Sequence, residues 1–137
     1  MSELKIEIGE DRLAFEPGEE ISGKVSWNFE KTPHILELRL FWFTRGKGTE
    51  DAGIAGTSKF EQPQASESRT FRHQLPNAPY SFSGKLISLV WALELIAYPS
   101  KETTRREFVV APGGQEVQLE SVPQQAFKGT GFSVTIR

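Results

Sequence analysis

Apolar and polar residues alternate with a period of two along much of the chain, a pattern that puts every second side chain of a strand on a buried face. Leu4, Ile6 and Ile8 alternate with Lys5 and Glu7. From Glu20 to Phe29, Ile21, Val25, Trp27 and Phe29 face one way while Glu20, Ser22, Lys24, Ser26 and Asn28 face the other. Leu36, Leu38, Leu40 and Trp42 share a face, as do Phe71, His73 and Leu75, then Val117 and Leu119, and finally Phe132, Val134 and Ile136. Each run predicts a strand. Pro17-Gly18 between the first two suits the central positions of a type II turn, where proline fixes the first φ and glycine accepts a positive second one. Pro76-Asn77-Ala78-Pro79, Pro99-Ser100 and Pro112-Gly113-Gly114 break the chain in the same manner. Short strands punctuated this way predict a sandwich or a barrel.

Two stretches depart from the pattern. Gly46 to Ser58 holds Gly46, Gly48, Gly53 and Gly56 with few apolar residues, which predicts a mobile surface loop. Lys85 to Tyr98 is apolar on both faces, and its Leu86, Leu89, Val90, Leu93 and Ala97 also fit a helical stripe. Periodicity leaves helix and doubly buried strand open here; the strands on either side favour a central strand.

Length and composition narrow the class. A chain of 137 residues is the size of one domain, with 37% hydrophobic and 25% charged residues, ordinary for a folded soluble protein. Sixteen basic and eighteen acidic side chains give a formal charge of -2, so no broad field exists for nucleic acid or anionic lipid. The absence of cysteine excludes disulfides, thiolate metal sites and a cysteine nucleophile. The first residues lack the basic and apolar segments of a secretion signal, and no run approaches the roughly 18 apolar residues of a membrane span. A cytoplasmic location is the expectation.

Two segments together resemble the arrestin superfamily. Phe15-Glu16-Pro17-Gly18-Glu19-Glu20-Ile21-Ser22-Gly23-Lys24-Val25 is similar to that family's Pro-Gly-Glu turn and the strand after it. Leu75-Pro76-Asn77-Ala78-Pro79-Tyr80-Ser81-Phe82-Ser83-Gly84, running into Ile87 to Leu95 with Trp91 inside, is similar to its Leu-Pro and Pro-Ser-aromatic punctuation before a long strand. The resemblance implies an all-β fold, an immunoglobulin-like, arrestin-like antiparallel β-sandwich, with residues 1–137 as a single domain. It reads Lys85 to Tyr98 as a strand and assigns the chain after Val110 to closing strands. It also implies an adaptor or scaffold without catalytic activity. Family members commonly pair two lobes, and this length accommodates one, so a homo-oligomer or a second lobe from another chain is open. The basic cluster that visual-type arrestins use for phosphorylated tails has no match, since Lys5 stands alone in its strand; no functional residue is carried over.

The residues offer little to catalysis. No Gly-x-Ser-x-Gly elbow and no complete phosphate-binding Gly-x-x-x-x-Gly-Lys-Ser/Thr run occurs, and the two histidines are too few for a His-rich metal site. No catalytic residue, cofactor or metal is expected. His34 reads as a surface residue; His73 reads as a hydrogen-bonded structural histidine, with a buried switch as the rival. Glu94 sits inside an apolar run, where desolvation would raise its pKa unless the sheet rim or an arginine such as Arg105 receives it. Arg105-Arg106 reads as a surface self-paired with Glu102 and Glu107, against an anion-binding patch. The strongest binding candidate is Phe41-Trp42-Phe43, because consecutive strand residues point to opposite faces. With Leu36 to Trp42 lining the core, Glu37, Arg39, Phe41 and Phe43 line the other face, where aromatics and arginine mark protein contacts. The competing reading covers Phe41 and Phe43 with the glycine-rich stretch or the terminal segment. The functional expectation is a protein partner, bound through this face or through an edge strand; the alternative is a small-ligand or carbohydrate-binding sandwich.

Overall fold

The computed structural model describes residues 2–46, 50–84, 86–114 and 117–118. Its strands are β1 (Glu3–Ile8), β2 (Ala14–Phe15), β3 (Glu20–Asn28), β4 (Ile35–Gly46), β5 (Ala52–Glu61), β6 (Ser66–Gln74), β7 (Phe82–Ser83), β8 (Ile87–Tyr98), β9 (Glu102–Val110) and β10 (Val117–Gln118). Two short 3-10 turns, Gly9–Asp11 and Pro112–Gly114, are the other regular elements among the described residues. The sandwich has a three-stranded sheet, β1-β3-β6, facing a larger one built on β7-β8-β4-β5 with β9 also on β8. The expected antiparallel β-sandwich is what forms; β2 joins β9 and β10 joins β7 in parallel through two-residue contacts. The strand expected over Phe132 to Ile136, and Leu119, lie outside the described residues.

The period-two runs face inward as their pattern requires. Ile6, Ile8, Ile21, Val25, Trp27 and Phe71 of the small sheet meet Leu36, Leu38, Leu40, Phe60, Trp91, Leu93, Leu95 and Phe108 of the large one in a single buried cluster. β8 is the central strand. It pairs along its whole length with β4, and on its other edge with β7 and then β9. Trp91, fully buried, donates its indole N–H to the Pro79 carbonyl at 2.9 Å, so the polar end of this core aromatic is satisfied by the proline-rich segment. Ser81, also buried, donates its backbone N–H to the Val110 carbonyl and accepts the Val110 N–H on Oγ, stitching the same segment to β9.

The two signature segments meet in space. Glu19 N–H bonds to the Glu16 carbonyl at 3.1 Å and Gly18 has φ of 82°, closing the turn predicted at Pro17-Gly18. Gly18 N–H then donates to the Pro76 carbonyl, and Leu75 N–H to the Glu19 carbonyl. Arg12 grips both Glu19 carboxylate oxygens at 2.8 and 2.9 Å while lying over the Phe15 ring. Arg12, together with the Glu16 N–H on Oε1, holds the Glu19 carboxyl at a pKa of about 2, well below its ordinary 4.5.

The glycine-rich stretch is where the sequence expectation fails. From Ala52 it is strand β5, paired with β4 from Phe43 to Ile35, with a bulge opposite Leu40 and Phe41. Its glycines serve packing. A Cβ on Gly53 would lie 2.5 Å from Trp42 Nε1, and one on Gly56 would lie 2.8 Å from His73 Nδ1. Glycine inside a strand marks such close approach. His73 completes the contact by bonding Ser58 Oγ through Nε2 at 2.8 Å, which makes it the structural histidine expected; burial pushes its pKa down.

Two predictions follow from this packing. Gly53→Ala should cost about 1–3 kcal/mol, the range for overpacking, because the Trp42 ring must leave its place; a urea midpoint equal to that of the parent would refute the assignment. The depressed Glu19 pKa means that the unfolded chain binds the proton first, so this stabilisation is present above about pH 4.5 and disappears as the pH falls toward 2. Glu19→Gln should therefore lower stability at neutral pH and converge with the parent near pH 2, checked by denaturant melts across that range.

Candidate functional site

The outer faces of the two sheets differ in kind. On the small sheet, Glu20, Ser22, Lys24, Ser26 and Asn28 of β3 stand beside Ser68, Thr70 and Arg72 of β6, a polar and small-residue surface. On the large sheet the residues singled out in sequence come together with others that sequence could not place. Glu37, Arg39, Phe41 and Phe43 lie in a row on the outside of β4, all partly exposed. Cross-strand register puts Ile96, Glu94, Ala92 and Val90 of β8 opposite them, with Thr103, Arg105 and Glu107 of β9 beyond.

Phe41 and Phe43 stack on each other with centroids 5.7 Å apart and planes at 28°. Both rings are partly exposed, and arginine lies over them; the loop residues 47–49 and the terminal segment, the alternative cover, lie outside the described residues. Arg105 Cζ is 5.2 Å from the Phe41 centroid and 5.0 Å from that of Phe43, and Arg45 Cζ is 5.4 Å from Phe43. Such cation–π contacts fix a flexible guanidinium over an aromatic surface. Ala92 supplies the room. It sits fully buried on this outer face, opposite Phe41 on one side and Glu107 on the other, so only a methyl stands between the rings and β9. At the β5 end of the row, Ile54 faces Phe41 and is 64% exposed.

Each arginine of the face has a carboxylate. Arg39 Nη2 is 3.3 Å from Glu37, and the Tyr98 hydroxyl bonds the same carboxylate. Arg45 meets Glu107 at 2.6 Å, and Arg105 is 3.6 Å from Glu94. The expectation that Arg105 would receive Glu94 is met. The expectation that Arg105-Arg106 pairs with Glu102 and Glu107 is corrected: Glu107 takes Arg45, Glu102 takes Ser2, and Arg106 turns inward to donate to the Ile6 carbonyl of β1 at 3.0 Å. Adjacent residues in a strand point to opposite faces, so the Arg105-Arg106 pair never forms one patch.

The other openings are shallower in chemistry. A cleft of about 540 Å³ at one end of the sandwich lies between the connection 29–34 and the β8–β9 hairpin, with exposed His34 on its wall. A groove of about 370 Å³ runs beside the aromatic row, where β9 leaves β8, lined by Leu13, Arg45, Val90, Glu107 and Val109 among others. Among the described residues no group of His, Asp or Glu is placed to hold a metal ion, and no helix is long and apolar enough to cross a membrane.

The fold has a clear counterpart. The sporulation control protein Spo0M of Bacillus subtilis matches with a TM-score of 0.56 at 16% identity, over 80% of this chain and 49% of that one. The chain thus spans about half the length of Spo0M, and the likeness is one of β-sandwich fold. A β-glucosidase from Listeria innocua, solved with laminaribiose or with gluconolactone, aligns over 85% of this chain and 16% of its own, at TM-scores of 0.46 and 0.45 and 16% and 15% identity. No protein-family model and no curated protein matches the sequence.

Because the aromatic row sits outside the core, Phe41→Ser with Phe43→Ser should leave a folded protein, weakened by about 1–3 kcal/mol through lost partial burial. Leu40→Ala, one residue away and fully buried, should cost about 2–5 kcal/mol. Thermal or urea melts of the two variants check the order; a larger loss from the aromatic pair would place it among the structural core.

Proposed function

We propose that this chain is a non-enzymatic interaction module, an arrestin-like sandwich that docks a protein partner on the outer face of its large sheet. The observation that carries this reading is the Phe41–Phe43 pair, stacked, partly exposed and held in place by Arg105 and Arg45, on a face whose counterpart across the sandwich is polar. Rigid aromatics and arginines lose little conformational freedom on binding and dominate the energetics of protein interfaces. The arrestin-like reading draws on the docking of the two signature turns and on the sandwich fold common to Spo0M.

Within the notion of an interaction module, the face has more support than an edge strand. The β1 edge is strapped by Arg106 on the Ile6 carbonyl, and the margin at β6 carries Arg69, which donates to the Glu61 and Gln62 carbonyls at the end of β5 at 2.9 and 3.4 Å. The β5 edge is broken by its bulge, a feature that discourages strand addition. A carbohydrate-binding face has less support also, because Arg105 lies over both rings where a sugar would stack. The carboxylates of the face are tied to arginines, an arrangement of structural pairing rather than of an acid and base converging on a substrate.

Affinity capture from the native extract, quantified for the parent and for the Phe41→Ser, Phe43→Ser variant, tests the reading. A specific protein should be recovered by the parent and depleted about tenfold or more by the variant, the consequence of losing about 1.4 kcal/mol or more at a central aromatic contact. Equal recovery by a folded variant would remove the face from consideration.

A further inference from the structure

Arg105 stands apart from the other arginines of the described structure. Arg12, Arg39, Arg45, Arg69 and Arg106 each spend guanidinium donors on a carboxylate or a backbone carbonyl within hydrogen-bond distance. The Arg105 guanidinium makes no hydrogen bond among the described residues. Its Glu94 contact is 3.6 Å, and its position comes from the two phenylalanine rings, at 5.0 and 5.2 Å. The side chain is 43% exposed. Arg72 is also without a guanidinium hydrogen bond, 3.5 Å from Glu20, but it is more exposed and no ring lies beneath it. Arg105 is therefore a guanidinium placed by stacking and by a long ion pair with Glu94, with no hydrogen bond to another described residue.

A planar, oriented guanidinium whose carboxylate contact is a long one matches an oxyanion presenting two oxygens. Around it, the outer face carries the ion pairs Arg39–Glu37, Arg45–Glu107 and Arg105–Glu94, with Lys59 opposite Glu37 and Glu61 at the far end of β5. A dianion would meet repulsion from all three carboxylates, whereas a single carboxylate meets half that charge and can displace the long Glu94 contact. On the same face lie the partly exposed Phe41 and Phe43, exposed Ile54, and the groove lined by Val90, Val109 and exposed Leu13.

We infer that the partner bound on this face presents an aspartate or glutamate side chain to Arg105, flanked by aliphatic or aromatic side chains that lie on the phenylalanine row and in the adjoining groove. This rests on the proposed interaction face and names the chemistry it takes. Glu94 exchanges for the incoming carboxylate, and the two rings keep the guanidinium oriented as it does so.

Random peptides displayed on phage and selected against the immobilised full chain test this. Selections should converge on an acidic residue beside an apolar one. A synthetic peptide of that consensus should bind Arg105→Gln and Arg105→Lys about tenfold or more weakly than the parent, since lysine keeps the charge but neither the two-oxygen grip nor the stacking. Its Asn or Gln counterpart should lose affinity for the parent and not for the Arg105→Gln variant. Peptides that bind Arg105→Gln as well as the parent yet are lost with Phe41→Ser, Phe43→Ser would overturn the carboxylate and leave the face standing. Peptides indifferent to both sets of variants would overturn both, and a library yielding no binder dependent on Arg105 overturns the inference.

Discussion

The structure depends on covering one strand, β8, on both of its faces. Its inward residues Trp91, Leu93 and Leu95 are buried by the small sheet, and a strand so placed must also find cover for its back. That cover comes from the large sheet itself. Ala92 and Ile96 are buried on the outside, where long side chains of β4 and β9 stand over the sheet. The aromatic and arginine layer thus has two duties: its underside shields β8, and its upper side meets solvent. Both follow from the same sequence feature, apolar residues on each side of Ile87 to Tyr98, with no α-helix among the described residues to pack against them.

Much of the fold was legible because period two is a local signal. Ile21, Val25 and Trp27 need no knowledge of their partners to be recognised as an inward face. The signature turns were legible as turns, although the sequence could not say that Gly18 would donate to Pro76 across the sandwich. The glycine-rich stretch was misread for a physical reason. Gly53 and Gly56 are small because Trp42 and His73 occupy the space beside them, and those neighbours are set by sheet register. A strand carved to receive aromatics looks, residue by residue, like a loop.

The candidate site shows the same division. Glu37, Arg39, Phe41 and Phe43 were predicted to share a face, since alternation about Leu38 and Leu40 fixes it. Arg105, Glu107 and Ala92 were not assigned to that face, because their arrival depends on β8 lying between β4 and β9. The sequence did carry one part of the signal: an apolar run holding a lone Glu94 needs a basic neighbour, and Arg105 was named for it. What remained hidden was that the guanidinium would lean over two rings and meet Glu94 only at 3.6 Å.

The arginine straps at the sheet margins have a consequence for behaviour in crowded solution. Arg106 on the Ile6 carbonyl satisfies an acceptor at the β1 edge, and Arg69 on the Glu61 carbonyl ties β6 to the end of β5. Each strap also leaves a charged, hydrated group at the rim, so that two sandwiches approaching side by side meet like charge and bound water before they meet open backbone. Resistance to ribbon-like stacking is thereby written into two side chains.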